Sequence, residues 1–293
     1  MTDKITLGLC VDFSSIKEKI PWAAKNGCET VSITSKAPMK ITDMREKAKE
    51  VLEITGSSGV NISTIGVYGN PLALDEDFEE LKITVQAARY FHTEIVSCFA
   101  GALPCRSVED AIPVFRERFS ELARMAEDSG VKIAFENCLQ GGTWKHATTN
   151  IAFNARAWTM MKEAVPSEAL GLEWEPAHQL AQLTDPIMQL DVWADDVIHV
   201  HGKDARVNRD FIKREGIFGN GYIAGFCNPG NGDTDWKDIV AILRKHHYSG
   251  SISLESGHDP VWKDEMQETG DAKALAYLKK AILSGQESGG IYT

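Results

Sequence analysis

Four residues near the ends of successive β-like segments carry side chains that bind cations: Glu136, Glu175, His201 and Glu255. The first lies in Ile133-Ala134-Phe135-Glu136-Asn137 and the second in Gly171-Leu172-Glu173-Trp174-Glu175-Pro176-Ala177-His178. The third belongs to His199-Val200-His201-Gly202-Lys203-Asp204, and the fourth ends Ser251-Ile252-Ser253-Leu254-Glu255. Side chains two apart on a strand share a face, so Ala134 goes with Glu136, His199 with His201, and Ser251 and Ser253 with Glu255. Ile133, Phe135, Ile252 and Leu254 form the opposite, apolar set and are expected to pack outward on helices. One Glu at a strand end is ordinarily solvated or ion-paired. Four metal-type side chains at consecutive strand ends call for a common cause. Three carboxylates meeting beside an imidazole in one pocket push one another, as like charges, toward protonation unless a cation joins them. That donor set suits Mn²⁺, Mg²⁺ or Co²⁺ and leaves coordination positions for substrate oxygens.

Elements that bring such residues together can be read from the apolar period. Strands are expected at Ile5–Val11, Glu29–Thr34, Asn61–Val67, Glu94–Phe99, Val131–Asn137, Leu170–Glu175, Val197–Gly202 and Ser251–Glu255. Helices are expected at Ser15–Asn26, Thr42–Ser58, Asp75–Phe91, Ser107–Ser129, Asn150–Glu163, Asp185–Trp193, Asp235–His247 and Asp271–Leu283. Thr42, Asp75, Ser107 and Asp235 suit helix N-caps, and Gly27, Gly59 and Gly130 fall where helices should stop. Eight β/α units in about 250 residues have the size of a closed (β/α)8 barrel, whose active sites lie at the C-terminal ends of the strands. An open dinucleotide-binding sheet would show a Gly-rich turn after its first strand, and Cys10-Val11-Asp12-Phe13-Ser14-Ser15 has none. No linker or composition shift divides residues 1–293, so a single domain is expected. The longest irregular stretch, Lys203–Thr234, is of the length usually kept for function.

Composition narrows the function. The 293 residues are 43% hydrophobic and 25% charged, enough apolar content for a full core. Net charge is −11 without a basic cluster, which disfavours nucleic acid as a partner. No apolar run is long enough to cross a bilayer, and Met1-Thr2-Asp3-Lys4 leads into a strand without an apolar targeting segment, so a cytoplasmic protein is expected. Six cysteines without CxxC spacing lie mostly inside apolar segments and read as reduced, buried thiols.

Over about its last 130 residues the chain resembles the xylose isomerase-like TIM barrel superfamily, also described as the sugar phosphate isomerase/epimerase group. The resemblance rests on Phe135-Glu136-Asn137, Glu175-Pro176-Ala177-His178, His201-Gly202-Lys203-Asp204, Asn228-Pro229-Gly230-Asn231-Gly232-Asp233-Thr234-Asp235-Trp236 and Tyr248-Ser249-Gly250-Ser251-Ile252-Ser253-Leu254-Glu255. Tyr68-Gly69-Asn70-Pro71 is a looser match, and the rest of the first half shares mainly the β/α rhythm. The resemblance implies one divalent ion, Mn²⁺ first and Mg²⁺ or Co²⁺ next, held by Glu136, Glu175, His201 and Glu255. It also implies that Glu136 and Glu255 move the proton beside the carbonyl of a keto-sugar or polyol-ketone, through an enediolate, while His178 contacts a substrate oxygen. Lys203, Arg206, Tyr68, Trp144 and His258 are further candidates for substrate binding, each with a structural alternative as an ion-pair partner, packing residue, lid anchor or solvated loop residue. His199 reads as a packed or supporting residue, and Phe99 as barrel packing.

Two departures stand out: Glu175 occupies a position where the family usually has Asp, and Ser256-Gly257-His258-Asp259-Pro260 replaces a tighter acidic run. The first expectation is an isomerase or epimerase. A lyase of the same barrel, an inosose dehydratase or keto-glycoside deglycosidase, shares its first step; a non-catalytic sugar-binding protein is the alternative from another class. An endonuclease IV-like nuclease would need metal ligands on the early strands that are scarce here. The resemblance further implies a homo-oligomer, or a hetero-oligomer for a deglycosidase-type lyase.

Overall fold

The computed structural model describes residues 4–35 and 41–287. The reading of Met1–Asp3 therefore falls outside the described residues. Strands β1 (Thr6–Asp12), β2 (Thr30–Ser35), β3 (Asn61–Val67), β4 (Ile95–Cys98), β5 (Lys132–Glu136), β6 (Leu170–Trp174) and β7 (Val197–Gly202) run parallel in that order. Two short strands, β8 (Asp204–Val207) and β9 (Ala224–Cys227), form a separate antiparallel pair, and β10 (Ser251–Leu254) then closes the barrel between β7 and β1. The expected (β/α)8 barrel is the observed fold, and every expected strand lies within a residue or two of its place.

The helices are α1 (Ile16–Lys25), α2 (Ile41–Ser58), α3 (Asp75–Ala87), α4 (Val108–Ser129), α5 (Ala155–Ala164), α6 (Ala177–Ala181), α7 (Pro186–Trp193), α8 (Arg209–Glu215), α9 (Trp236–Lys245) and α10 (Gln267–Glu287); all but the short α6 and α8 cover the outside, and those two lie in the loops past β6 and β8. The apolar strand face meets them as expected: Phe135 packs edge-on against Phe115 and Phe119 of α4. Ser107 makes a full capping box with Asp110, and Asp235 caps α9 through the Lys237 amide. Thr42 and Asp75 do not precede their helices. Asp75 is the first residue of α3, where its charge faces the positive end of the helix, and Leu74 holds the cap position without a side-chain bond. The fifth helix begins at Ala155 rather than Asn150, because Asn150 uses its side chain to accept from the Ala100 amide and donate to the Glu136 and Cys138 carbonyls. Lys203–Thr234 is not structureless: it holds β8, α8 and β9. Strands of four residues between polar turns give too little alternation to be seen in the sequence. All six cysteines are free thiols, and Cys105 is exposed, against the buried expectation.

Inside, the barrel is lined largely by small polar side chains. Hydroxyls of Thr30 and Ser251 lie 2.7 Å apart, those of Ser251 and Ser253 3.2 Å, and those of Thr64 and Ser97 2.9 Å. A Cβ at Gly8 would overlap the hydroxyls of Ser253, Thr30 and Ser251, so the bare backbone there makes room for this layer.

Beyond β7, Asp204 anchors the loop that leads to α9. It accepts from Trp236 Nε1 at 3.2 Å, and a Cβ on Gly232 would overlap its carboxylate. Gly232→Ala must push one of these groups aside, and should lower unfolding free energy by about 1–3 kcal/mol in a denaturant titration. Burial pushes the Asp204 carboxyl up to about 6, against the bonds it accepts from Ala205, Thr234 and Trp236. Its folded value therefore exceeds the unfolded one of about 3.9. The native state gains from this proton below about pH 4 and loses that gain as pH rises through about 6. Asp204→Asn should accordingly gain stability relative to the parent between pH 4 and 6, and parallel unfolding curves across that range would test it.

Candidate active site at the barrel mouth

Where the strands end, backbone staples set the acidic side chains in place. Asn137 donates from Nδ2 to the Glu175 carbonyl at 2.8 Å and accepts from the Glu175 amide at 3.0 Å, locking the ends of β5 and β6 together. Asn150 holds the carbonyls on either side of Asn137, those of Glu136 and Cys138, at 2.9 and 2.8 Å. Glu136, Glu175 and His201 are buried, and the Glu255 side chain is 21% exposed.

Carboxylate and imidazole atoms of Glu136, His201 and Glu255 lie within 4.8 Å of one another, and His201 Nδ1 stands 3.3 Å from Glu255 Oε2. Glu175 lies outside that trio. It approaches His178 Nε2 at 2.9 Å and Lys203 Nζ at 3.7 Å. Both Glu175 oxygens, both His201 ring nitrogens and Glu255 Oε2 are buried without a hydrogen-bond partner. Orphaned donors of this kind, hard oxygens around one imidazole, fit a divalent cation.

Lys203 supplies the positive charge already present. Its Nζ donates to Glu255 at 3.0 Å, lies 3.5 Å from His178 Nε2 and stands 5.1 Å from the centre of the Phe226 ring on β9. Burial disfavours the ammonium, but Glu175, Glu255 and Glu136 outweigh it and raise its pKa above the ordinary lysine value. Burial and the neighbouring Glu255 push the Glu136 carboxyl well above the usual range. Glu255 is held well below it, since Lys203, His201 and His258 overcome the burial penalty.

These groups open into a cavity of about 1190 Å³. Tyr68, His178, Lys203 and His258 all line it, with Phe99 and Phe226 as apolar walls. His258 Nε2 lies 3.0 Å from Glu255 Oε1, and the His178 ring meets Phe226 edge-on at 4.8 Å. The other two substrate candidates stand elsewhere. Arg206 is exposed and donates to the Asn231 carbonyl at 2.7 Å, while Trp144 donates to Glu109 at 2.7 Å and packs on Phe153. Neither lines the cavity: Arg206 is held by the loop after β9, and Trp144 by Glu109 of α4 and by Phe153. Cys10 and Cys138 do line it, and strand periodicity could have placed Cys10 there. Glu173, fully buried beneath the trio, is a further acidic group that the two-residue period puts on the strand face of Glu175.

The chain matches the family model of the xylose isomerase-like TIM barrel over residues 20–281. It is 29% identical over 175 residues to an inosose dehydratase of Clostridium beijerinckii, an alignment covering 59% of this chain and 55% of that protein. The chain thus spans about half the length of that curated relative. A xylose isomerase domain protein from Planctomyces limnophilus superposes with a TM-score of 0.73 at 18% identity, covering 96% of this chain and 99% of that one. A D-psicose 3-epimerase from Clostridium cellulolyticum H10, solved with D-tagatose, superposes with a TM-score of 0.69 at 14% identity, covering 95% and 99%. These likenesses show a shared fold, and the chain belongs to the xylose isomerase-like TIM barrel family.

If the orphaned donors hold a cation, Mn²⁺ at about 100 times its Kd should stabilise the folded chain by about 2.7 kcal/mol. Thermal melts with and without Mn²⁺ would measure this. Glu136→Gln and His201→Ala should lose most of the shift; equal shifts in all three proteins would refute the site.

Proposed function

We propose that this xylose isomerase-like barrel is a divalent-cation-dependent isomerase or epimerase of a keto-sugar or polyol-ketone, working by proton abstraction next to the carbonyl. The convergence of Glu136, His201 and Glu255 in the cavity, with buried donor atoms left unpartnered, carries this reading. Glu136, His201 and Glu255 would hold the ion, with Glu175 as fourth ligand and Mn²⁺, Mg²⁺ or Co²⁺ as the matching metals. When bound, the ion supplies electrostatic stabilisation for negative charge developing on the substrate's carbonyl and neighbouring hydroxyl oxygens.

The chain's own residues perform the proton transfers. Glu136 and Glu255 face the cavity from strand ends three places apart around the barrel, so a carbon bound between them is flanked by two carboxyl groups. Lys203 and His258 hold Glu255 through contacts of 3.0 Å each, which orients it as a base. In an isomerase or epimerase, one carboxylate takes the proton beside the carbonyl and a carboxylic acid returns one to the neighbouring carbon or the opposite face. His178 and Tyr68 line the same space and would hydrogen-bond substrate hydroxyls, while Phe99 beside Tyr68 and Phe226 beside His178 give it apolar walls.

The similarity to an inosose dehydratase favours a second reading. There the same abstraction is followed by loss of a β-hydroxyl, which leaves as water after protonation by a cavity acid. His178, beside Lys203, would supply that acid. Incubation with candidate keto-sugars and inososes in deuterated water separates the readings. Deuterium at the carbon beside the carbonyl with every hydroxyl and substituent retained supports the isomerase, and a product lighter by one water, or a freed aglycone, supports the lyase. Glu255→Gln should lower kcat by about 10²–10⁴-fold in either case. No exchange and no product with any of these substrates, from protein carrying stoichiometric Mn²⁺, would leave a binding protein as the better description.

A further inference from the structure

A carboxylate outside the proposed ligand set lies directly beneath it. Glu173, on β6, is fully buried and reached by donors from several strands. Ser97 Oγ on β4 donates to Oε1 at 2.5 Å, and the Tyr68 hydroxyl, just past β3, donates to Oε2 at 2.7 Å. On β7, His199 Nδ1 lies 2.8 Å from Oε1, and its Nε2 lies 3.1 Å from Ser253 Oγ. His201 presents its two nitrogens to two different carboxylates: Nε2 stands 3.1 Å from Glu173 Oε1, and Nδ1 stands 3.3 Å from Glu255 Oε2. The Nε2 separation is already that of a hydrogen bond; only its angle departs from one.

We infer that Glu173 is a positioning residue that assigns the two nitrogens of His201, keeping the proton on Nε2 and leaving the Nδ1 lone pair to face Glu255. The inference rests on the proposed reading of His201 as a cation ligand. A neutral imidazole offers one lone pair, and the hydrogen bond made by its other nitrogen decides which one. A carboxylate at that other nitrogen also raises the basicity of the ligating one. A buried carboxylate is a poor device for stability, since a well-packed apolar side chain commonly does as well or better. Glu173 is instead equipped with a donor for each oxygen, which holds its charge and its direction toward His201. Tyr68 ties the same carboxylate to the cavity wall, so the orientation of His201 and the position of a substrate-facing hydroxyl share one anchor.

The test compares the parent with Glu173→Leu and Glu173→Gln, each checked for folding by circular dichroism and thermal melting without metal. Mn²⁺ affinity is then measured by calorimetry. Glu173→Leu should bind about 10–100-fold more weakly; Glu173→Gln, which keeps an oxygen acceptor in place, should fall between it and the parent. A merely structural role would not produce that graded recovery. In ¹⁵N-histidine NMR of the Mg²⁺-loaded parent, the signals missing from His201→Asn should be those of an Nε2–H imidazole. Equal Mn²⁺ affinities across the three proteins, or an Nδ1–H form of His201, would overturn the inference while leaving the cation site standing. A parent that binds no Mn²⁺ would remove the cation site and this inference with it. Should the Leu variant fail to fold, the Gln affinity and the tautomer decide.

Discussion

Gathering negative charge where water is scarce is the constraint on which this barrel's mouth depends. Glu136, Glu173 and Glu175 are buried and Glu255 is nearly so. Carboxylates this close cannot all stay ionised unless positive charge or hydrogen-bond donors are built in beside them. The chain answers each differently. Glu173 receives hydroxyls and an imidazole, Glu255 receives Lys203 and His258, and Glu136 is left to be pushed toward its neutral form. Glu175 keeps two oxygens without a hydrogen bond, although His178 and Lys203 stand beside it. The unanswered part of this demand is what the proposed divalent ion would meet.

Meeting that constraint shapes the barrel below. Many barrels of this kind fill their interior with branched apolar layers, whereas this one runs a chain of hydroxyls from Thr30 through Ser251 and Ser253 to His199, Glu173, Ser97 and Thr64. Such a network holds direction as well as stability, because each member fixes the rotor of the next. Main-chain staples add rigidity above it. Asn137 and Asn150 bind the strand ends that carry Glu136 and Glu175, so these glutamates are held by backbone hydrogen bonds rather than by packing alone.

The region after β7 supplies the remaining wall. Asp204 with Trp236, and Asp259 with the Asn228 amide and Asn231, pin the loops around the β8–β9 hairpin. Pinned there, Phe226 lies over Lys203 and against His178. Asp204 and Trp236 belong to the motifs that resemble the family, and their part in this structure is to brace the hairpin and not to face the cavity.

Alternation of apolar residues and helical periods determined the eight barrel strands, their order and the inward face on which Glu136, His201 and Glu255 stand, because a strand's two-residue period and a helix's 3.6 are local properties of the chain. The motif-bearing last half made the candidate site legible for the same reason, each candidate ligand being tied to its own strand end. What local pattern could not contain was distance across the barrel. Only the closed tertiary structure joined Glu173 to Tyr68, Ser97 and His201, set Glu175 beside Lys203, folded the stretch after β7 into a hairpin, and turned Arg206 and Trp144 away from the cavity. Each of these outcomes depends on residues far apart in sequence meeting in space, and no period along the chain records such meetings.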